Sequence, residues 1–220
     1  MPGPLKPSTP TRSYTSDVRA AQAIETRRRI RAAAEDLFLA NGYVATSMDA
    51  IAKAAGVSRQ TVFTAFGSKA ALLSEIGDVQ VVGDDQPIPL AEREVVKRLQ
   101  DEDDPVALVR NWTKIGAGIT ERTSPTYQLM IEAAPHDPEV AKLKAKVDDL
   151  HLGGMRQMVD LLAAKGHLRR GRSHARAAEA AWLVMGFPAY LAAMAKGWSP
   201  REYERWAAEC LVAVLVEQDA

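Results

Sequence analysis

The sequence predicts an all-α protein, and three observations carry the prediction. Aromatic residues make up only 6% of the 220 residues while Ala and Leu are abundant, which suits packed helices better than a sheet sandwich. No segment alternates polar and apolar residues with period two. Finally, Asp104-Pro105, Ser124-Pro125, Asp137-Pro138 and Ser199-Pro200 each set an N-cap residue before a proline. Proline is tolerated at the first helical position because its missing N–H would have no intrahelical partner there. About nine helices are expected. The hydrophobic share of 47% is enough for one large domain or two modest ones.

Residues 1–22 are rich in Pro, Ser, Thr and Arg without a period and are expected to be a flexible basic tail. From Ile24, the residues Ile30, Ala33, Ala34, Leu37 and Phe38 follow helical spacing, and Asn41-Gly42 ends the run. Ser47 is a good N-cap for a short helix whose inner face is Met48, Ile51, Ala52 and Ala55. Gly56 breaks that helix, Val57 plugs the corner, and Ser58 caps a third helix over residues 59–66. Gly67-Ser68 stops it and caps a fourth, with Leu72, Leu73 and Ile76 inward.

Beyond this point the proline pairs predict helix starts near 105, 125, 138 and 200, with another near Ser173 after the turn "KGHLRRGRS". The helix from 105 has Leu108, Val109, Trp112, Ile115, Gly116 and Ile119 on one face. The helix from 138 repeats Val140, Leu143, Val147, Leu150, Gly154, Met158 and Leu161. The last helix carries Tyr203, Trp206, Ala207, Cys210, Leu211, Val214 and Leu215, and Ser199 to Glu202 reads as a capping box. The longest uncharged run, "AAWLVMGFPAYLAAMA" at 180–195, has 16 residues. A bilayer span needs roughly 20, and Pro188 interrupts this one, so a helix buried on more than one side is expected.

The stretch "AAGVSRQTVFTAF" at 54–66 carries the function. A helix, a short turn with glycine and a second helix make a helix-turn-helix, and it needs a small residue such as Ala52 where the helices cross. Ile51, Val57 and Val62 would lock the angle. The second helix then projects its polar N-terminal side chains, and the major groove of B-DNA is wide enough to admit such a helix. Arg59 suits guanine O6 and N7, and Gln60 suits adenine N6 and N7. Thr61 and Thr64 can reach phosphates or a thymine methyl. Formal net charge is +0, yet residues 1–75 hold 10 Lys/Arg against 6 Asp/Glu, leaving 18 against 22 for the rest. The basic third is the anion-binding end.

The segment "RRRIRAAAEDLFLANGYVATSMDAIAKAAGVSRQTVFTAFGSKAALL" resembles the DNA-binding domain of the tetracycline-repressor (TetR) family of bacterial transcription regulators. Phe38, Gly42, Thr46-Ser47, Ile51-Ala52, Ala55-Gly56-Val57-Ser58, Thr61, Phe66, Ser68-Lys69 and Leu72-Leu73 carry the likeness, and "GWSPREYERW" resembles the closing helix of many members. The resemblance implies a DNA-binding domain at 23–70 and a ligand-binding, dimerising domain at 71–220. It implies a homodimer on a palindromic double-stranded operator, released or recruited by a small molecule. By position Ser47 would meet a phosphate, Arg59 and Gln60 bases, Thr61 and Thr64 backbone or base edges, and Lys69 a phosphate. Phe63 stands where tyrosine is frequent and Ala65 where histidine or tyrosine is, so two possible DNA contacts are lost.

In the larger part, Trp112, Tyr127, Met130, Met155, Met158, Trp182, Met185, Phe187 and Tyr190 are candidates to line an apolar effector pocket, with His151 as a polar contact; plain core is the competing reading. The uncharged run 180–195 and the final helix, through Ala189, Ala193, Val212, Ala213 and Val216, are expected to form the dimer interface implied by the family. The four histidines share no metal spacing, and Asp101 to Asp104 read as a solvated loop ending in an N-cap, so no metal or cofactor is expected. No nucleophile elbow appears, and the GAG at 116–118 lacks a third glycine and a preceding strand, so an enzyme is not expected. A helical adaptor or small-molecule binder with a relict helix-turn-helix is the alternative. The single Cys210 and the absence of an apolar core in residues 1–23 suit a cytoplasmic protein without a signal peptide.

Overall fold

A computed structural model describes residues 13–83 and 88–217. Among them lie ten α-helices and one 3-10 turn, and the chain divides into two compact units, Met1–Leu72 and Leu73–Ala220. Helix α1 spans Ser13–Asn41, α2 Met48–Ala55, α3 Arg59–Phe66 and α4 Lys69–Val82. A 3-10 turn at Leu90–Glu92 precedes α5, Glu94–Asp101. Then come α6 Pro105–Ala133, α7 Pro138–Ala164, α8 His174–Met185, α9 Phe187–Ala195 and α10 Pro200–Leu215.

The first unit is built around α2, which packs against both α1 and α3. Ile30, Ala34 and Phe38 of α1, Ile51, Ala52 and Ala55 of α2, and Val62 and Phe66 of α3 are buried, as their spacing predicts. Helix α1 begins at Ser13 rather than Ile24, so part of the expected tail is helical; residues 1–12 lie outside the described residues. The reason is local: after Asp17 the sequence runs VRAAQAIE, rich in alanine and long unbranched side chains that favour helix even where α1 buries nothing.

In the second unit α6 packs on α7 and α10, α7 on α8, and α9 on α6. Its core joins Leu108 and Val109 to Met155, Met158, Val159 and Leu162, and to Ala177, Ala181, Met185, Tyr203, Leu211 and Leu215. Asp104, Asp137, Ser173 and Ser199 are all N-caps whose side chains accept backbone N–H bonds, and Ser199 with Glu202 completes the capping box.

Several expectations are corrected. No helix starts at Pro125, which lies inside α6. Its missing N–H would leave the Glu121 carbonyl without a partner, and the buried Ser124 hydroxyl donates to that carbonyl at 3.1 Å. The run 180–195 is two helices, α8 and α9, separated at Gly186 by extended backbone (φ −66°, ψ 155°). By length and composition alone His174–Ala195 could cross a membrane, but the break and its packing into the second core give it a different place here. On α7 the buried face is Val140, Met155, Met158, Val159 and Leu162, and Leu150 is 63% exposed, because it lies five residues, about 140° round the helix, from Met155. On α10 Trp206 is exposed, edge-on to Trp198. Helix α5 was not foreseen: eight residues with Leu99 alone buried leave little periodicity to detect.

Candidate nucleic-acid interface

The corner between α2 and α3 sets the geometry. Gly56 adopts the left-handed conformation (φ 64°, ψ 39°), with its N–H bonded to Lys53 O and the Val57 N–H to Ala52 O. This pair of bonds is a Schellman stop, and it requires a residue without a Cβ penalty at Gly56. A Cβ there would also sit 3.2 Å from Arg29 Nη2. Ser58 then caps α3, its Oγ accepting the Thr61 N–H at 3.0 Å and lying 2.8 Å from Thr61 Oγ1. Thr61 is thereby committed to the cap and is partly buried.

The exposed edge of α3 consists of Arg59, Gln60, Phe63 and Thr64. Gln60 Nε2 donates to Thr64 Oγ1 at 3.3 Å, one turn on. Arg59 Nη1 lies 3.2 Å from Asp49 Oδ2 of α2, and its guanidinium sits 5.3 Å from the Phe63 ring centre. Ser47, at the start of α2, is its N-cap and accepts the Ala50 N–H at 3.1 Å. The remaining predicted contact, Lys69, is placed differently. Lys69 Nζ donates to the carbonyls of Tyr43 at 2.8 Å and Thr46 at 2.9 Å and lies 4.1 Å from the Tyr43 ring centre. Its ammonium closes the α1–α2 loop rather than facing out for a phosphate, bridging two loop carbonyls of which Tyr43 O also accepts the Thr46 N–H at 3.3 Å.

Residues that sequence reasoning missed support this edge. Arg27 donates to the Ala65 carbonyl at the end of α3 and stacks over Phe66, 4.3 Å from its ring centre. Arg29 donates to the Ala55 carbonyl at the end of α2. Cations at helix C-termini satisfy orphan carbonyls and oppose the helix dipole. The run Arg27-Arg28-Arg29 is part of the basic amino-terminal third, and only the fold shows that two of its members reach the ends of α2 and α3.

The pocket candidates of the second unit are mostly closed core. Met130, Met155, Met158, Met185 and Tyr190 are buried, and a Cβ at Gly116 would lie 2.8 Å from Met185 Cε. Trp112 and Trp182 are partly buried against the same core. Tyr127 stacks on Phe187 with ring centres 3.9 Å apart, and His151 meets Phe187 edge-on at 5.4 Å. The Tyr127 hydroxyl donates to Asp148 at 2.6 Å, and Lys144 pairs with the same carboxylate at 2.7 Å. Burial, and then the bond to Asp148, push the Tyr127 phenol up. Of the dimer candidates, Ala213 is exposed, Ala189, Ala193 and Val212 are half-buried, and Val216 is buried at 3%. Val216 is withdrawn because α10 ends at Leu215 and the chain there pairs with Leu168 in an antiparallel bridge.

Residues 30–76 match the family of bacterial regulatory proteins named for tetR. No curated protein matches the chain. Among solved structures, NalD, the secondary repressor of the MexAB-OprM multidrug efflux pump in Pseudomonas aeruginosa, superposes with a TM-score of 0.67 at 21% identity, covering 90% of this chain and 100% of that one. A transcriptional regulator from Saccharomonospora viridis in complex with choline gives 0.66 at 19% identity, covering 88% and 99%. The SmeT–triclosan complex gives 0.64 at 19%, covering 88% and 92%. With the helix-turn-helix geometry, the match over residues 30–76 identifies that segment as a DNA-binding domain like those of the bacterial regulatory proteins named for tetR.

Proposed function

We propose that the chain is a ligand-responsive repressor that binds a palindromic operator as a homodimer, with residues 23–70 contacting DNA and residues 71–220 serving effector binding and dimerisation. The observation that carries this reading is the α3 edge: Arg59, Gln60 and Thr64 stand exposed on a helix capped at Ser58 and braced at its far end by Arg27. Repression needs no more than occupancy of the operator. A single helix contacts too few base pairs to specify a site, and two-fold pairing doubles the readout.

For dimerisation the outward stripes of α8 and α10 are the best surface. The two helices pack together, and Leu183 of α8 stands 68% exposed, with Ala213 exposed on α10. The effector is an apolar or amphipathic small molecule, a reading supported by the partly buried Trp112, Trp182 and His151 and the Tyr127–Phe187 stack. NalD, SmeT with triclosan and the choline complex are consistent with it as relatives in fold.

Selection of bound duplexes from random DNA tests the reading, with wild-type and Arg59→Ala protein run in parallel. Wild type enriches an inverted repeat, and Arg59→Ala loses the preference at one base pair of each half-site. A wild-type protein that enriches nothing, while folded and dimeric, counts against sequence-specific recognition.

A further inference from the structure

We infer that Asp49 and Phe63 form a cradle for the Arg59 guanidinium and thereby set how sharply Arg59 discriminates bases. The inference rests on the reading of α3 as the recognition helix. Asp49 lies on α2 and Phe63 one turn beyond Arg59 on α3, so the cradle exists only because the α2–α3 angle is fixed at Gly56. The carboxylate holds Arg59 at 3.2 Å, and the Phe63 ring lies 5.3 Å from its carbon.

An arginine on an exposed helix edge is otherwise free to follow any nearby phosphate. The cradle restrains it in two ways. Stacking on Phe63 limits the guanidinium to orientations over the ring and reduces the entropy lost when it meets a base. The phenylalanine that lacks a phenol for DNA is thus given another task. Asp49 acts as a competitor: a non-specific site must draw Arg59 away from a carboxylate, offering only phosphate in exchange. A guanine offers O6 and N7 together, which the planar fork fits bidentately. Both partners of the ion pair are more than half exposed, 61% and 63%, so the pair is weak enough to be surrendered to the right base. Specificity of this kind is set against wrong partners rather than for the right one.

The test uses the full chain and the selected operator, with duplexes changed at one base pair of each half-site in turn, at two salt concentrations. Variants are Asp49→Asn, Phe63→Leu, Phe63→Tyr and Arg59→Ala. Arg59→Ala removes discrimination at one position, a loss of about tenfold or more. Asp49→Asn is expected to bind non-specific DNA more tightly and to lose several-fold of discrimination at that same position. Phe63→Leu loses discrimination there as well, and Phe63→Tyr, which keeps the ring, retains it. In an Arg59→Ala background neither Asp49→Asn nor Phe63→Leu changes the ratio further. If Arg59→Ala has its effect while Asp49→Asn and Phe63→Leu keep wild-type ratios, the cradle is refuted. Equal losses at every position would show a structural role only, and would refute it too. If Arg59→Ala itself leaves every ratio unchanged, the reading of α3 fails and the cradle with it.

Discussion

His151 lies edge-on to Phe187, three residues beyond Asp148 on α7. Burial lowers its pKa below the ordinary 6.5, and the nearby Asp148 carboxylate opposes this. The sign follows by linkage. Below about pH 6.5 the unfolded chain takes up a proton that the folded chain resists, so stability falls as pH drops through that value. His151→Gln is expected to flatten the denaturation midpoint between pH 7.5 and 5.5, measured in urea; an unchanged slope would remove His151 as a source. The neighbouring arginines allow a second test at this scale. Arg29→Met removes the donor at the end of α2 and should cost about 1 kcal/mol of stability. It should also weaken DNA binding about equally at all sequences, since it touches the frame and not the bases. A loss confined to one base pair would contradict its place at the Ala55 carbonyl. Sequence pattern finds side chains such as Arg59 because their type and position match a task. It does not find where Lys69 and Arg27 turn, because a cation serves a phosphate and a helix carbonyl equally well.

Helices were legible where a start signal and a buried stripe agreed. Asp104, Asp137, Ser173 and Ser199 cap helices in the structure, and each is followed by a run with strong inward residues. Ser199→Ala should therefore destabilise the chain by about 1 kcal/mol, seen as a lower denaturation midpoint. No change in midpoint would mean that α10 is held by Tyr203, Leu211 and Leu215 alone. The same signal misleads at Ser124-Pro125, because a side chain can replace the bond that proline forfeits. The break at Gly186 was hidden by uniform apolarity: residues 180–195 have no polar marker to show where one helix ends. Exposure on α7 was mistaken at Leu150, where a long helix carries apolar residues on more than one side.

For the whole molecule, the division into a recognition unit and a larger helical body followed from two separate signals, the motif at 54–66 and the later proline-capped helices. The proposed dimer face is less legible. Alanines 189 and 193 look like contact residues in sequence, but each is half-buried in its own core, and the exposed Leu183 is the better probe. Leu183→Glu is expected to yield monomers in sedimentation and to abolish binding to a two-site operator. A stable dimer of that variant would assign the interface elsewhere.

The central claim is that paired α3 helices distinguish sequences. Its most direct measurement is the ratio of wild-type affinities for the selected palindrome and for a scrambled duplex of equal length, at one stated salt. The account predicts a ratio of about 10³ or more, lost in Arg59→Ala. A ratio near one, with binding that falls steeply as salt rises, would show a protein held by phosphates alone and would contradict it.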